Sequence, residues 1–388
     1  IVHVVNGRQK KLLQGHPWVY GNEIERVEGE IEDGGLVTVV DFRGRYMGTG
    51  FYNSKSLITV RLLTHRQEEI TDKLIASRVK AACDYRRFVM NRPGTDSCRL
   101  IYGEADRLPG VIADRFGGVI VLQVLALGME RFTQTIADAL LACEKPDCLL
   151  LQNDDAIRRK EGMECFTRVL YGTLPEENII HENGVKLAVD VLGGQKTGYF
   201  LDQNNHLFVR QFCKDARVLD CFSYIGAFAL NAAAAGAKEV TAVDISEAAV
   251  QLIEKNAALN GADITAVCAN CFDFLRAQVK AGEKYDVVVL DPPAFTKAHA
   301  NMASACRGYK EIALSAMRLL PAGGVLATHS CSYHMPEEVF VNTVLSAAQD
   351  LHRQVRVITL RRQDIDHPVL AGYPESHYLK SLWLQMLD

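Results

Sequence analysis

Long hydrophobic runs are missing from this sequence. The longest apolar stretch, Val119 to Leu127, is broken by Gln123 and falls far short of the roughly 20 residues that a membrane span needs. Excess charge is missing too. Against 43 Lys and Arg stand 47 Asp and Glu, a net charge of −4, which excludes a chain that coats nucleic acid by bulk charge but leaves room for a local basic groove. The short basic clusters, such as Arg158, Arg159 and Lys160 or Arg361 and Arg362, read as solvated faces. The 11 cysteines show no disulfide framework. Only Cys268 and Cys271 have CxxC spacing, and no second pair or His pair follows at zinc-ribbon distance, so no metal site is predicted and the thiols read as core residues. No secretory leader is legible before Asn6; with unpaired thiols, this places the expected location in the cytoplasm.

What is present is ordinary globular material, 48 % hydrophobic and 23 % charged. Its 388 residues exceed one core and predict two or three domains, at roughly 100–200 residues each. Residues 1–70 alternate short Val-, Ile- and Thr-containing runs with glycine turns, the pattern of a small all-β unit. From Thr71 the apolar positions Ile70, Leu74, Ile75, Val79, Ala82 and Phe88 follow a helical period, stopped by Asn91-Arg92-Pro93-Gly94. Strand and helix pieces then alternate up to Leu174-Pro175, which predicts a central α+β domain over 71–175. Beyond it, Ala216–Asp220, Glu239–Asp244, Ile264–Ala269, Tyr285–Leu290 and Gly324–Thr328 read as strands with helices between, a doubly wound α/β domain over 176–388.

Ligands of such sheets bind beyond the carboxyl ends of the strands, and three of those ends carry Asp220, Asp244 and Asp291. The turn after Asp220, Cys221-Phe222-Ser223-Tyr224-Ile225-Gly226, lacks the GxGxxG that a pyrophosphate requires. A nucleoside cofactor without phosphates fits better, and S-adenosylmethionine (SAM) is one: Asp244 suits ribose hydroxyls, and nearby carboxylates suit a sulfonium and an amino group. Asp273, after the third strand, could accept from an adenine amino group with Phe274 on the ring. In Asp291-Pro292-Pro293-Ala294-Phe295 the prolines remove two N–H donors, leaving carbonyls and a carboxylate to grip a base amino group and an aromatic ring to stack on it. Cys331, in Ser330-Cys331-Ser332, ends a strand on the same sheet edge, where a thiolate could add to an electron-poor ring carbon.

Together with Gln195-Lys196-Thr197-Gly198-Tyr199-Phe200-Leu201-Asp202-Gln203, Ala305-Cys306-Arg307-Gly308-Tyr309-Lys310, Asp366-His367-Pro368 and Tyr373-Pro374-Glu375, these segments resemble the large-subunit ribosomal RNA cytosine-C5 methyltransferases that carry an N-terminal PUA domain. The resemblance spans the chain and implies a PUA-like β-barrel, a central α+β domain and a Rossmann-like SAM-dependent methyltransferase domain. It implies SAM held by Phe222, Gly226 and Ile245 beside the acids already named, under a lid of Lys196, Thr197, Phe200 and Asp202. It implies Cys331 as nucleophile and Asp291 as its partner at the base, with Pro292, Pro293, Phe295, His367 and Tyr373 shaping the base pocket. Ribosomal RNA is the implied partner, with Lys10, Lys11 and Arg45 as candidate contacts; the oligomeric state is left open, a homodimer included. Two departures stand out: Ala227 sits where relatives often have a second glycine, and Ala294 where other RNA cytosine-C5 enzymes have a second cysteine. Two other readings stay open, a base methyltransferase acting on guanine N7 or an exocyclic amine without a covalent step, and a non-catalytic RNA-binding or assembly protein.

Overall fold

The computed structural model describes residues 1–295 and 301–388. The N-terminal unit comprises β1 (Val2–Val4), α1 (Gln9–Leu13), β2 (Trp18–Val19), β3 (Ile24–Val27), β4 (Leu36–Val40), β5 (Tyr46–Tyr52) and β6 (Val60–Thr64). Its sheet runs β2-β6-β5-β4-β1-β3 around a core that includes Val4, Leu12, Val39, Met47 and Leu62. The expectation of an all-β unit omits α1, since a five-residue helix is too short to leave a periodic signal. Gly50 is required where β5 shifts register against β6: a Cβ there would lie 2.2 Å from the Arg61 carbonyl oxygen.

The central unit comprises α2 (Asp72–Val89), β7 (Ser97–Tyr102), β8 (Val111–Phe116), β9 (Val119–Val124), α3 (Thr133–Glu144), β10 (Cys148–Asn153), α4 (Ile157–Lys160) and β11 (Phe166–Gly172). Thr71 caps α2, its Oγ1 accepting the Leu74 N–H at 3.2 Å. The sheet order is β11-β10-β9-β8-β7, and only β9 and β10, joined through α3, are parallel. Helices α2 and α3 cover one face through Ile75, Val79, Ile136 and Leu140. The other face, with Phe116, Val121 and Leu150, receives Ile180 and Leu187 from the hairpin β12 (Asn178–Glu182) and β13 (Val185–Val189). Covered on both sides, β9 and β10 are buried at every position, Gln123 and Gln152 included, which is why Val, Ile and Leu dominate them. The hairpin follows Pro175 in the chain, yet its apolar side chains join the core of the sheet before it.

The C-terminal sheet is built from β14 (Arg217–Cys221), β15 (Glu239–Asp244), β16 (Thr265–Cys268), β17 (Val287–Leu290), β18 (Val325–Ser330), β19 (Val355–Arg361) and β20 (Lys380–Met386). Its helices are α5 (Asn205–Val209), α6 (Ala227–Ala234), α7 (Glu247–Asn260), α8 (Cys271–Ala281), α9 (Met302–Leu319) and α10 (Glu337–Asp350). The order is β16-β15-β14-β17-β18-β20-β19; the first five strands are parallel and β20 runs antiparallel to both neighbours. Ser246 caps α7 and Gly261, at φ +59°, ends it. The closing pair β19 and β20 is not anticipated by the sequence reading. Strand order reverses between β14 and β17, and that reversal opens a crevice at their carboxyl ends. Among the described residues no helix is long and apolar enough to cross a membrane.

Candidate active site

A cleft of about 340 Å³ opens at that crevice. The carboxyl end of β15 contributes Asp244 to its wall, and the segments after β14, β16, β17 and β18 contribute Phe222, Phe272, Asp291 and Cys331. The chain between β13 and α5 closes the far side with Phe200, Asp202 and Gln203.

The turn after β14 is strained. Phe222 and Tyr224 hold φ at +61° and +51°, a region that costs bulky side chains about 1–3 kcal/mol each. Four hydrogen bonds over-determine it. The Phe222 N–H donates to Cys271 Sγ at 3.2 Å, the Ser223 N–H to the Val243 carbonyl at 3.1 Å and the Tyr224 N–H to Asp244 Oδ2 at 2.9 Å. The Tyr224 hydroxyl donates to the Gly198 carbonyl at 3.1 Å, which ties the turn to the opposite wall. Gly226, at φ +88°, starts α6 with Ile253 3.4 Å from where a Cβ would sit.

The three strand-end acids separate by environment. Asp244 also accepts the Ser246 N–H at 2.9 Å, and its carboxylate retains lone pairs toward the cleft; Ile245 beside it is 68 % exposed. Asp220 is fully buried and does not line the cleft. Its Oδ2 accepts from the Ser223 hydroxyl at 2.5 Å and the Ala229 N–H at 3.1 Å, and burial pushes its carboxyl up to about 7. It therefore shapes the turn from beneath. Asp291 lines the cleft, accepts from Gln203 Nε2 at 3.0 Å and is pushed up to about 6, chiefly by burial.

The adenine-side expectation needs correction. Asn270 caps α8 by accepting the Phe272 N–H at 2.9 Å, which turns Asp273 outward into an ion pair with Arg276 at 2.5 Å. Phe274 packs against the core around α9. Asn270 and Phe272 occupy the cleft wall instead.

Cys331 lines the cleft in the same wall as Asp291, Pro292, Pro293 and Phe295. Burial and the nearby Asp291 carboxylate push its thiol up to about 11, while Lys196 acts in the opposite sense. The flanking serines are anchored: the Tyr309 hydroxyl lies 2.9 Å from Ser330 Oγ and 3.4 Å from Ser332 Oγ.

The expected lid divides. Phe200 and Asp202 line the cleft, and Lys196 reaches Asp202 Oδ2 at 2.9 Å and covers the Phe200 ring at 4.5 Å. Burial alone would raise the Asp202 carboxyl, but Lys196, with the Tyr378 hydroxyl, holds it well below the usual carboxylate range. Thr197 turns away. Its hydroxyl donates to Asp114 Oδ2 at 2.5 Å, and Asp114 is clasped by Arg99 at 2.8 and 2.7 Å, so Thr197 docks the segment on the central sheet.

His367 and Tyr373 are also displaced from the expected base pocket. His367 is buried on Asp366 at 2.7 Å, and Asp366 accepts the Arg99 N–H at 2.8 Å. Tyr373 packs on Trp18 with ring centroids 4.8 Å apart, and Glu375 meets His16 at 3.2 Å. This segment therefore joins the N-terminal, central and C-terminal units. Of the expected RNA contacts, Lys11 pairs with Glu23 at 2.6 Å and Arg45 with Asp41 at 2.7 Å; Lys10 is exposed on α1.

Residues that sequence reasoning passed over complete the site. Gln203 closes the Gln195–Gln203 segment and orients Asp291; its place at the end of that run was the available signal. His206 lines the cleft with Nδ1 2.8 Å from Glu182, and the Tyr199 hydroxyl donates to the same carboxylate at 2.9 Å. Burial opposes its protonation, yet Glu182 outweighs it and the imidazole is raised.

Comparison with known proteins agrees with this architecture. Residues 2–65 match the PUA-like domain, and residues 120–363 match the S-adenosylmethionine-dependent methyltransferase family. Among curated proteins, the chain is 42 % identical to the ribosomal RNA large subunit methyltransferase I of Klebsiella pneumoniae (strain 342), over 97 % of this chain and 96 % of that one. It is 41 % identical to the protein of the same name from Salmonella enteritidis, over 96 % and 94 %. A solved structure from Streptococcus mutans, described as a candidate SAM-dependent methyltransferase, shares the fold at a TM-score of 0.85 and 20 % identity, covering 99 % of each chain. A chain solved in complex with SAH matches equally well, at a TM-score of 0.85, 20 % identity and 99 % of each chain.

Proposed function

Because the chain belongs to the S-adenosylmethionine-dependent methyltransferases, at 42 % identity to proteins named ribosomal RNA large subunit methyltransferase I, we propose that it methylates C5 of a cytosine in large-subunit ribosomal RNA through an adduct on Cys331. The observation that carries the reading is the shared wall: thiol, buried carboxyl and Pro292-Pro293 line one cleft.

The cleft fits SAM. Its volume lies in the range of small-molecule sites, roughly 300–1,000 Å³. The Asp244 carboxylate has lone pairs left for ribose hydroxyls, while Ile245 and Phe272 offer apolar surface for a purine. When bound, SAM supplies an electrophilic methyl group on its sulfonium.

Cytosine C5 is a poor nucleophile until C6 is attacked. The Asp291 carboxylate takes the Cys331 S–H proton as the sulfur bonds to C6, the displaced ring electron pair settles at N3, and Asp291 passes that proton on to N3. An acid near pKa 6 is matched to giving that proton and taking it back. Gln203 keeps the Asp291 carboxyl aimed by donating to Oδ2. C5, now enamine-like, attacks the methyl group, whose bond to the sulfonium breaks to leave a neutral thioether. Loss of the C5 proton to a base expels the Cys331 sulfur, which recovers its proton from N3 through Asp291. A base inside a helix must leave its stack to reach such a pocket. The PUA-like unit supplies RNA contacts by shape and phosphate charge.

The test uses RNA carrying 5-fluorocytidine, whose C5 fluorine cannot leave as a proton. The wild-type chain should form an adduct stable to denaturing gels, with Cys331→Ala forming none while binding SAM normally. Methylation of ordinary RNA by Cys331→Ala at the wild-type rate would overturn the covalent reading.

A further inference from the structure

Lys380 is a buried cation that the mechanism above leaves unused. It stands on β20 directly across from Ser330 on β18 and is 3 % exposed. Its Nζ donates to the Ser332 carbonyl at 2.7 Å and to the Met335 carbonyl at 2.8 Å, both on the turn that leaves Cys331. An ammonium has three donors, and these bonds use two. Among the described residues, no carboxylate forms an ion pair with it; Glu337 and Cys331 are the acidic groups whose charge it feels. A buried lysine without a counter-ion is costly, since desolvation disfavours its charge.

The same turn is held from its other side by the Tyr309 hydroxyl, through Ser330 and Ser332. Cys331 thus lies between two anchored serines, close to a cation that lacks an anion. Lys196, the other cation near the thiol, is already paired with Asp202 at 2.9 Å, while Asp291 and Asp202 oppose a thiolate. We infer that Lys380 is a positioning residue for Cys331: it fixes the turn that carries the sulfur and supplies the counter-charge for the thiolate as it forms. This rests on the covalent reading given above. Burial lowers the Lys380 ammonium to about 8 and raises the Cys331 thiol to about 11, so each charge alone is disfavoured, whereas formed together they offset one another.

The experiment compares wild type, Lys380→Gln and Lys380→Arg, each checked for unchanged SAM affinity as evidence of folding. Gln keeps two N–H donors for the carbonyls and removes the charge; Arg keeps the charge. The rate of iodoacetamide alkylation of the Cys331 peptide is followed by mass spectrometry at pH 7, where Lys380 carries its charge, alongside the rate of adduct formation with 5-fluorocytidine RNA. In Lys380→Gln alkylation and trapping should each slow at least tenfold. Lys380→Arg should stay within threefold of wild type. A folded Lys380→Gln chain with the wild-type alkylation and trapping rates overturns the assignment. Should Lys380→Gln not fold, a folded Lys380→Arg chain that loses tenfold or more overturns it, and one within threefold upholds it. A wild-type chain that traps no RNA sinks the covalent reading instead, while alkylation that still slows in Lys380→Gln leaves the coupling between lysine and thiol intact.

Discussion

His329, two residues before the proposed nucleophile, couples the stability of the sheet beneath the site to pH. Its ring is fully buried, stacked on Phe228 with centroids 5.1 Å apart and edge-on to Trp383 at 6.1 Å. Neither ring nitrogen has a hydrogen-bond partner among the described residues. Burial first, and the charge of His206 second, lower its pKa to about 3. The unfolded chain takes up a proton near pH 6.5 that the folded chain refuses. No penalty exists above that pH, and stability falls progressively as pH drops from 6.5 toward 3. At a limiting slope of about 1.36 kcal/mol per unit, approached only below the midpoint, the loss between pH 6.5 and 4.5 is about 2.3 kcal/mol. His329→Phe removes the titrating group and the unpartnered nitrogens together. The larger ring adds an overpacking cost of about 1–3 kcal/mol, similar to the gain from deleting unpaired polar atoms. The sign of the effect at pH 7 therefore decides nothing, but its change with pH does. Urea unfolding followed by Trp383 fluorescence, in a Trp18→Phe background, should show the variant gaining about 2–3 kcal/mol on its parent between pH 7 and pH 4.5. A difference between the two chains that stays flat across this range would refute the reasoning, because it would mean that the imidazole is protonated or partnered in the folded protein.

Three further outcomes follow from the site. Asp244→Ala should weaken SAM binding at least tenfold by calorimetry, since it also releases the Tyr224 and Ser246 N–H groups, whereas Asp273→Ala should change it less than twofold. Asp291→Asn should lower kcat about 100-fold or more in single-turnover methylation, with SAM affinity unchanged, as expected for loss of a group that acts on the ring rather than on the cofactor. Arg99→Met should destabilise the chain by about 3–5 kcal/mol in urea unfolding, because it strands the fully buried Asp114 carboxylate on which Thr197 also docks.

Much of the fold is legible in local chemistry. The helix that begins near Thr71 and stops before Asn91-Arg92-Pro93-Gly94, and the strand Glu239–Asp244, depend on neighbours in sequence, and the structure has them where the pattern puts them. The strand-end segments carrying Asp244, Asp291 and Cys331 are legible for the same reason: parallel strands alternating with helices bring their carboxyl ends to one edge. Periodicity is silent where an element is short or its partner distant, as in α1 and in the closing strands β19 and β20.

The sequence by itself determined which residues could meet at one end of a sheet, because period, caps and strand ends are local properties of the chain. Only the tertiary structure decided which of them face the cleft. Asp220, Asp273 and Thr197 are plausible ligands in one dimension, but a buried turn, a helix start and the Asp114 carboxylate of the central sheet claim them. Gln203 and Lys380 gain their parts only by lying next to Asp291 and the Cys331 turn, residues 88 and nearly 50 positions away along the chain. Side-chain direction and burial arise from contacts across such distances, and no window of sequence contains them.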